Sequence, residues 1–369
     1  MLLYIDKTFT QDILDNNQIA ISAINLIALG RRQGKHLLLS DLTSLKRIRD
    51  SDFINEETKR VFTFLSENYP NYAAIKDKLT FYIQITSGIN QMTLKNIDSK
   101  DICFVSCDYF QDLKIAAETV VIGENQSEID FYEYIANSCK AINGLSKIPL
   151  AYQPRMGGGH TTHVVYSTEQ NQEKTFCLCF VDSDKKYPGA RLGDTLKAVA
   201  EADDKTKLLS QYHPLNVREI ENIIPLNILE KVSHDDANYK LGYESLEKTI
   251  KSENCKDVLF LDIKKGLSIK KYKSIKDENF KEFINSICIA ILSFTKDELD
   301  TFFEIENEED IDTKVLIQGL GTNVLERTID HLNKNTEIVP VFDFEEQKKE
   351  WYEIGEKFIN WTCSGHRIL

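Results

Sequence analysis

The chain of 369 residues carries 58 acidic against 45 basic side chains, a formal charge of −13, with 42% hydrophobic residues and only seven prolines. That length calls for two or three hydrophobic cores, and that composition excludes a largely disordered chain. The acidic balance works against non-specific adhesion to nucleic acid, which needs lysine and arginine to displace counterions from phosphate, so any such contact has to be local.

No apolar run approaches bilayer length. Even residues 287–294 form a short stretch that runs straight into Thr295, Lys296 and Asp297. The opening MLLYIDKTF places Asp6 and Lys7 directly after its apolar start and lacks the regions of a signal peptide, so a cytoplasmic protein with no membrane partner is expected. Eight cysteines show no CxxC spacing and several lie in strand-like runs, where reduced thiols act as small hydrophobes. Disulfides and structural zinc are both disfavoured.

In chain order, LLYI (2–5) and HLLL (36–39) read as short buried strands followed by Asp6 and Asp41, with helical apolar spacing over 13–29 between them. Two more helical stretches reach residue 79. FYIQI (81–85) and ICFV (102–105) then read as strands, the second followed by Asp108. This N-terminal α/β domain, residues 1–112, resembles a PIN-like nuclease domain, whose strands also end in acidic metal ligands, here Asp6, Asp41 and Asp108. No second motif supports catalysis there, so a regulatory or substrate-positioning part is expected.

TVVIG (119–123) reads as a strand closed by glycine, with helical spacing over 128–142 behind it. A strand is expected over 148–152, then a glycine loop at 157–159. FCLCFV (176–181) is apolar at every position, as a central parallel strand should be, and Asp182 and Asp184 follow it. Open α/β sheets place their chemistry outside the carboxyl ends of the strands. Glu124 and the Asp182/Asp184 pair would therefore face one crevice if the two strands are neighbours. Beyond Pro225 the chain reads as mainly helical, with one more strand at VLFLDI (258–263) and helices around 280–294, 297–303 and 345–359. Residues 113–232 and 233–369 are thus read as a catalytic domain and a mainly helical region completing it.

A glutamate after one strand and an Asp-x-Asp after another put three carboxylates on short supports, hard oxygen ligands that suit Mg²⁺ or Mn²⁺. Without a cation their repulsion would raise one or more pKa values, so the cluster implies a metal.

VVIGEN (120–125), a helix, FCLCFVDSD (176–184) and REIENIIP (218–225) together resemble a TOPRIM domain of the OLD-type nuclease group, in which bacterial anti-phage effectors are frequent. The resemblance covers roughly residues 118–232. It implies a TOPRIM-like parallel sheet with flanking helices and a divalent-metal-dependent endonuclease, a hydrolase acting on DNA, tRNA or other RNA in antiviral defence. By the same resemblance Glu124 takes the place of the TOPRIM glutamate, and Asp182 and Asp184 that of the DxD metal ligands. Glu128 resembles the second acid of OLD-type sites, with Asp130 as its competitor, and Glu221 the acid after the following strand, with Glu219 as the alternative. The sequence departs from the pattern where Gly123 precedes Glu124 instead of following it, and where no glycine closes the DxD turn before Gly189. OLD-type nucleases often carry or accompany an ATPase. The chain has no P-loop, so a separate ATPase partner or another trigger is expected, and a homo-oligomer fits as well.

Three further features bear on the site. Gly157, Gly158 and Gly159, followed by His160 and Thr161, could bring backbone amides against a phosphate, with His160 or His163 assisting. Lys264 and Lys265, at the end of VLFLDI, are candidates to steady a scissile phosphate. They belong to a basic stretch, 256–276, that includes Lys270, Lys271 and Lys273 and contrasts with an acidic run at 304–312. Two rival readings stand beside the nuclease. A nucleotide-sugar transferase would use the DxD for Mn²⁺ and a diphosphate, and a non-catalytic sensor or partner subunit would use its acidic surface for protein contacts.

Overall fold

Short all-apolar segments can hide their peptide groups only by pairing with one another, and the N-terminal segments do so. In the computed structural model, which describes residues 1–88, 91–233, 237–299, 315–335 and 337–368, strands β1 (Leu2–Ile5), β2 (Leu37–Leu39), β3 (Phe81–Thr86), β4 (Thr93–Ile97) and β5 (Lys100–Ser106) form one mixed sheet of order β2-β1-β3-β5-β4. β1 runs parallel to β2 and β3, β3 parallel to β5, and only the edge strand β4 is antiparallel. Asp98 and Ser99 close the β4-β5 hairpin at φ +52° and +62°, the left-handed pair that a two-residue hairpin turn requires.

A second sheet has the order β7-β6-β8-β9, from β6 (Thr119–Gly123), β7 (Tyr152–Met156), β8 (Cys177–Val181) and β9 (Ser210–Pro214). β6 lies parallel to both β7 and β8, with Ile122 opposite Cys179. β6 and β8 are buried at every position, as their unbroken apolar sequence requires. The strand expected over 148–152 lies further on, at 152–156. It is an edge strand, so it tolerates Pro154 and keeps exposed polar side chains, and it left no apolar signature.

By its contacts the chain divides into two compact units. The first comprises residues 1–180, 198–213 and 353–369 and contains nearly all of both sheets. Tyr132, on the helix Gln126–Ile142, stacks on Phe180 with ring centres 4.2 Å apart, and Trp361 stacks on Phe81 at 5.0 Å. The expected helix over 13–29 is interrupted at Asn17, whose side chain accepts from the Ile19 and Ala20 amides and starts a new helix, Gln18–Arg32.

The second unit, residues 181–197 and 214–352, is mainly helical: Leu226–Ser233, Ala237–Ile250, Glu278–Leu292 and Val324–Lys334 surround a two-stranded antiparallel pair, β10 (Gly266–Ser268) and β11 (Val315–Gln318). The strand expected at 258–263 is instead a 3-10 turn, Cys255–Phe260, followed by a bend. The Asn222 amide donates to the carbonyls of Val258 (2.7 Å) and Leu261 (2.8 Å), using acceptors that a sheet ladder would need. The helix expected over 297–303 extends past the described residues, and the acidic run 304–312 lies outside them. The described residues contain no helix long and apolar enough to cross a membrane. All eight cysteines are free thiols, seven of them buried.

Candidate metal centre

In the first unit the chain leaves β6 at Gly123, and Glu124 is the first residue beyond the strand. A Cβ on Gly123 would come 2.9 Å from Ile129 Cγ1, so glycine lets the following helix fold back tightly. Asn125 caps that helix by accepting from the Glu128 amide at 3.0 Å. Glu128 answers: its Oε2 accepts from the Glu124 amide (2.8 Å) and its Oε1 from Asn125 Nδ2 (3.0 Å), a reciprocal cap that holds the Glu124 peptide in place. Glu128 is buried, whereas Glu124 is exposed. Asp130, its competitor in the sequence, accepts from Gln126 Nε2 at 2.7 Å instead.

The glycine loop runs beside this turn. The Gly157 amide donates to the Gly123 carbonyl (2.8 Å) and the Gly158 amide to the Glu124 carbonyl (3.1 Å). Gly158 and Gly159 have φ of +71° and +63°, and a Cβ on Gly159 would stand 3.2 Å from Glu124 Oε1. Two of the loop's amides thus serve the Glu124 turn, which takes them from the phosphate role the sequence suggested. His160 is exposed on the short 3-10 turn Gly159–Thr161, and His163 is half-buried at the start of the helix Thr162–Gln172.

In the second unit Asp182 directly follows β8, and its Oδ1 accepts from the Ile220 amide at 3.2 Å. Ile220 opens the 3-10 turn Ile220–Ile223, which carries Glu221, and Glu219 precedes it. Lys264 reaches both: its Nζ lies 3.2 Å from Glu219 Oε2 and 3.2 Å from Glu221 Oε1. Burial works against a charged Lys264, but Glu221, then Glu219 and Asp182, outweigh it and hold its pKa above the usual lysine range. Burial raises the pKa of Glu221, with Glu219 adding to that and Lys264 opposing it. Glu221 Oε2 is buried without a hydrogen-bond partner. Asp182, Glu219, Glu221 and Lys264 therefore form one electrostatic cluster.

Asp184 stands apart from that cluster in kind. It is exposed, it takes φ +53°, and its amide donates to the Arg218 carbonyl at 2.9 Å. A Cβ on Gly193 would come within 2.5 Å of Asp184 Oδ2, so glycine is required at 193 by close contact, whereas Gly189 has open space around it and is favoured by its φ of +83°. Sequence reasoning missed Gly193 because it is nine residues past the aspartate; the DxD at a strand end was the only available signal. It also set Glu219 and Glu221 against each other, whereas Lys264 binds one oxygen of each. Arg218 and Asp262 were missed as well. They pair at 3.3 Å, and Asp262 Oδ1 accepts from the Lys265 amide at 2.8 Å, which anchors the segment that delivers Lys264.

Two of the three N-terminal aspartates have local roles. Asp41 caps the helix Leu42–Asp50 through the Ser44 amide (2.9 Å) and hydroxyl (2.7 Å), and Asp6 accepts from the Thr8 amide (2.9 Å) and hydroxyl (2.5 Å). Asp108 follows β5, which β3 separates from β1. No family model, no curated protein and no solved structure matches the chain.

Proposed function

We propose that the chain is a divalent-metal-dependent nuclease of the TOPRIM, OLD-type kind, cleaving phosphodiesters of DNA or RNA and acting in anti-phage defence under the control of a partner or trigger. The observation that carries this reading is topological. β6 and β8 are neighbouring parallel strands, and the first residue beyond each carboxyl end is an acid, Glu124 and Asp182.

The donors suit Mg²⁺ or Mn²⁺. All are carboxylates, and the second-unit cluster contains a buried carboxylate oxygen, Glu221 Oε2, with no hydrogen-bond partner and a pKa raised by burial. Glu124, Asp182 and Asp184 would hold the cation, joined by Glu128 or Glu221, and the bound ion would polarise the phosphodiester and activate water. Glu128 fixes the Glu124 peptide through its cap. Lys264, held charged beside Glu219 and Glu221, would offer its ammonium to the phosphate.

The test is cleavage of supercoiled DNA, linear DNA and total tRNA in Mg²⁺, Mn²⁺ and EDTA, alongside calorimetric titration with Mn²⁺. Cleavage and Mn²⁺ binding that both disappear in Asp182→Asn support the nuclease. Absence of Mn²⁺ binding, or cleavage that survives EDTA or the substitution, overturns it. Mn²⁺ binding with no cleavage of any substrate would favour the transferase or the non-catalytic reading.

A further inference from the structure

The second unit contains a cleft of about 390 Å³ that shares Arg218 and Asp262 with the surroundings of the proposed metal centre but none of the proposed metal ligands. Its size lies in the range of small-ligand sites, roughly 300–1,000 Å³. Lys186, Arg218, Lys271 and Lys276 line it together with Phe260 and Phe280. The acids at its wall, Asp262 and Asp277, are committed elsewhere. Asp262 pairs with Arg218 and accepts from the Lys265 amide, while Asp277 caps the helix Glu278–Leu292 and accepts from the Tyr187 hydroxyl at 3.2 Å. Lys186, Lys271 and Lys276 have no ion pair among the described residues, and with Arg218 they set four cations against Asp262 and Asp277, leaving a net positive charge at one concavity in a chain whose net charge is −13.

The aromatic groups add a second requirement. Phe280 packs with Tyr187 (6.2 Å, 21° between ring planes) and Phe283 (6.4 Å, 20°) in a triangular cluster whose third side, Tyr187 to Phe283, is 6.5 Å, and both Phe280 and Phe260 remain partly exposed at the cleft. Lys186 Nζ lies 5.9 Å from the Phe280 ring centre. A simple polyanion would satisfy the lysines but leave the phenylalanine surface in water, and an apolar ligand would do the reverse. Nucleoside phosphates carry both a planar aromatic ring and adjacent negative charge.

We propose that this cleft binds one nucleoside phosphate, its base against Phe280 and Phe260 and its phosphate on Lys186, Lys271 and Lys276. Arg218 keeps a buried Nε without a hydrogen-bond partner and lines the same cleft, where it can donate to the phosphate or sugar. This assignment needs neither a divalent cation nor cleavage, so it stands or falls apart from the proposed nuclease. The ligand is either a free nucleotide or one unit of a nucleic-acid strand, since both present the same chemistry.

Fluorescence anisotropy of the full chain in EDTA distinguishes these sources, with a fluorescent ATP analogue and a short fluorescein-labelled oligothymidylate as probes. Saturable binding of the ATP analogue alone identifies a free nucleotide; binding of the oligonucleotide, displaced or not by ATP, identifies a strand. In either case Lys271→Gln/Lys276→Gln, both at exposed positions, should weaken binding by about tenfold or more, and Phe280→Ala by a similar factor. Thermal melting of the lysine variant should match the parent, which keeps the result interpretable if Phe280→Ala fails to fold. The proposal is overturned if neither probe binds, if the lysine variant binds as tightly as the parent, or if tripolyphosphate competes as well as ATP.

Discussion

Lys264 Nζ is equidistant, at 3.2 Å, from Glu219 Oε2 and Glu221 Oε1, so one largely buried ammonium serves two carboxylates that stand two residues apart in the chain. The side chains are 23%, 14% and 6% exposed, which places the arrangement mostly out of water. Removing one member of such a group leaves uncompensated buried charge. Lys264→Met should therefore destabilise the metal-free protein by on the order of 3 kcal/mol. Added Mn²⁺ should restore more of the melting temperature in this variant than in the parent, because the cation would replace the lost ammonium. Equal Mn²⁺ shifts in the two proteins would show that the carboxylates do not receive the ion.

Asp182→Asn should leave the melting temperature within a degree or two of the parent while removing Mn²⁺ affinity. Asparagine keeps an oxygen that accepts from the Ile220 amide, so the local structure is preserved and only the charge is lost. Circular dichroism combined with Mn²⁺ calorimetry checks both halves of this expectation. A large fall in stability would mean that the aspartate is structural.

Glu128 has a structural task whatever else it does, and two substitutions separate the roles. Glu128→Ala removes the acceptors of the Glu124 amide and of Asn125 Nδ2 and should cost about 1–2 kcal/mol in urea unfolding. Glu128→Gln retains one acceptor and should recover part of that loss. If Gln restores stability but Mn²⁺ binding stays impaired, the carboxylate acts on the cation as well as on the cap.

These roles explain how far the sequence could be read. VVIGEN and FCLCFVDSD were legible because a strand buried on both faces has to be apolar throughout, so the first charged residue marks its end. The edge strands β4, β7 and β9 are the opposite case, with exposed polar positions and no periodic signal. VLFLDI misled because Val258, Leu259, Leu261 and Ile263 are all buried, yet burial alone does not distinguish a strand from an irregular segment packed on neighbours. The meeting of Glu219, Glu221 and Lys264 depends on Asn222 anchoring that irregular segment, and such a long-range hydrogen bond leaves no mark in local sequence. Asp41 was legible as a strand-terminal acid, but its capping of the Ser44 amide shows why that signal is weak evidence for a metal site.

His213 sets a stability gradient in mild acid. Burial lowers its pKa to about 4, with Lys357 adding to the effect, and its ring packs against Phe180 at 5.5 Å. The ordinary value is near 6.5, so between about pH 6.5 and 4 the unfolded chain binds a proton that the folded chain does not. The folded state is therefore penalised progressively as pH falls through that window, and above it His213 contributes no pH dependence. His36, fully buried and also held well below the usual histidine range by burial, adds to the same trend. The loss attributable to His213 alone is at most about 3 kcal/mol. His213→Phe should keep an edge-on ring contact with Phe180 and flatten the fall in unfolding free energy between pH 6.5 and 4, measured by urea titration at several pH values, while His36 leaves a residual slope. An unchanged slope in His213→Phe would place the acid sensitivity elsewhere, with His36 the next residue to substitute.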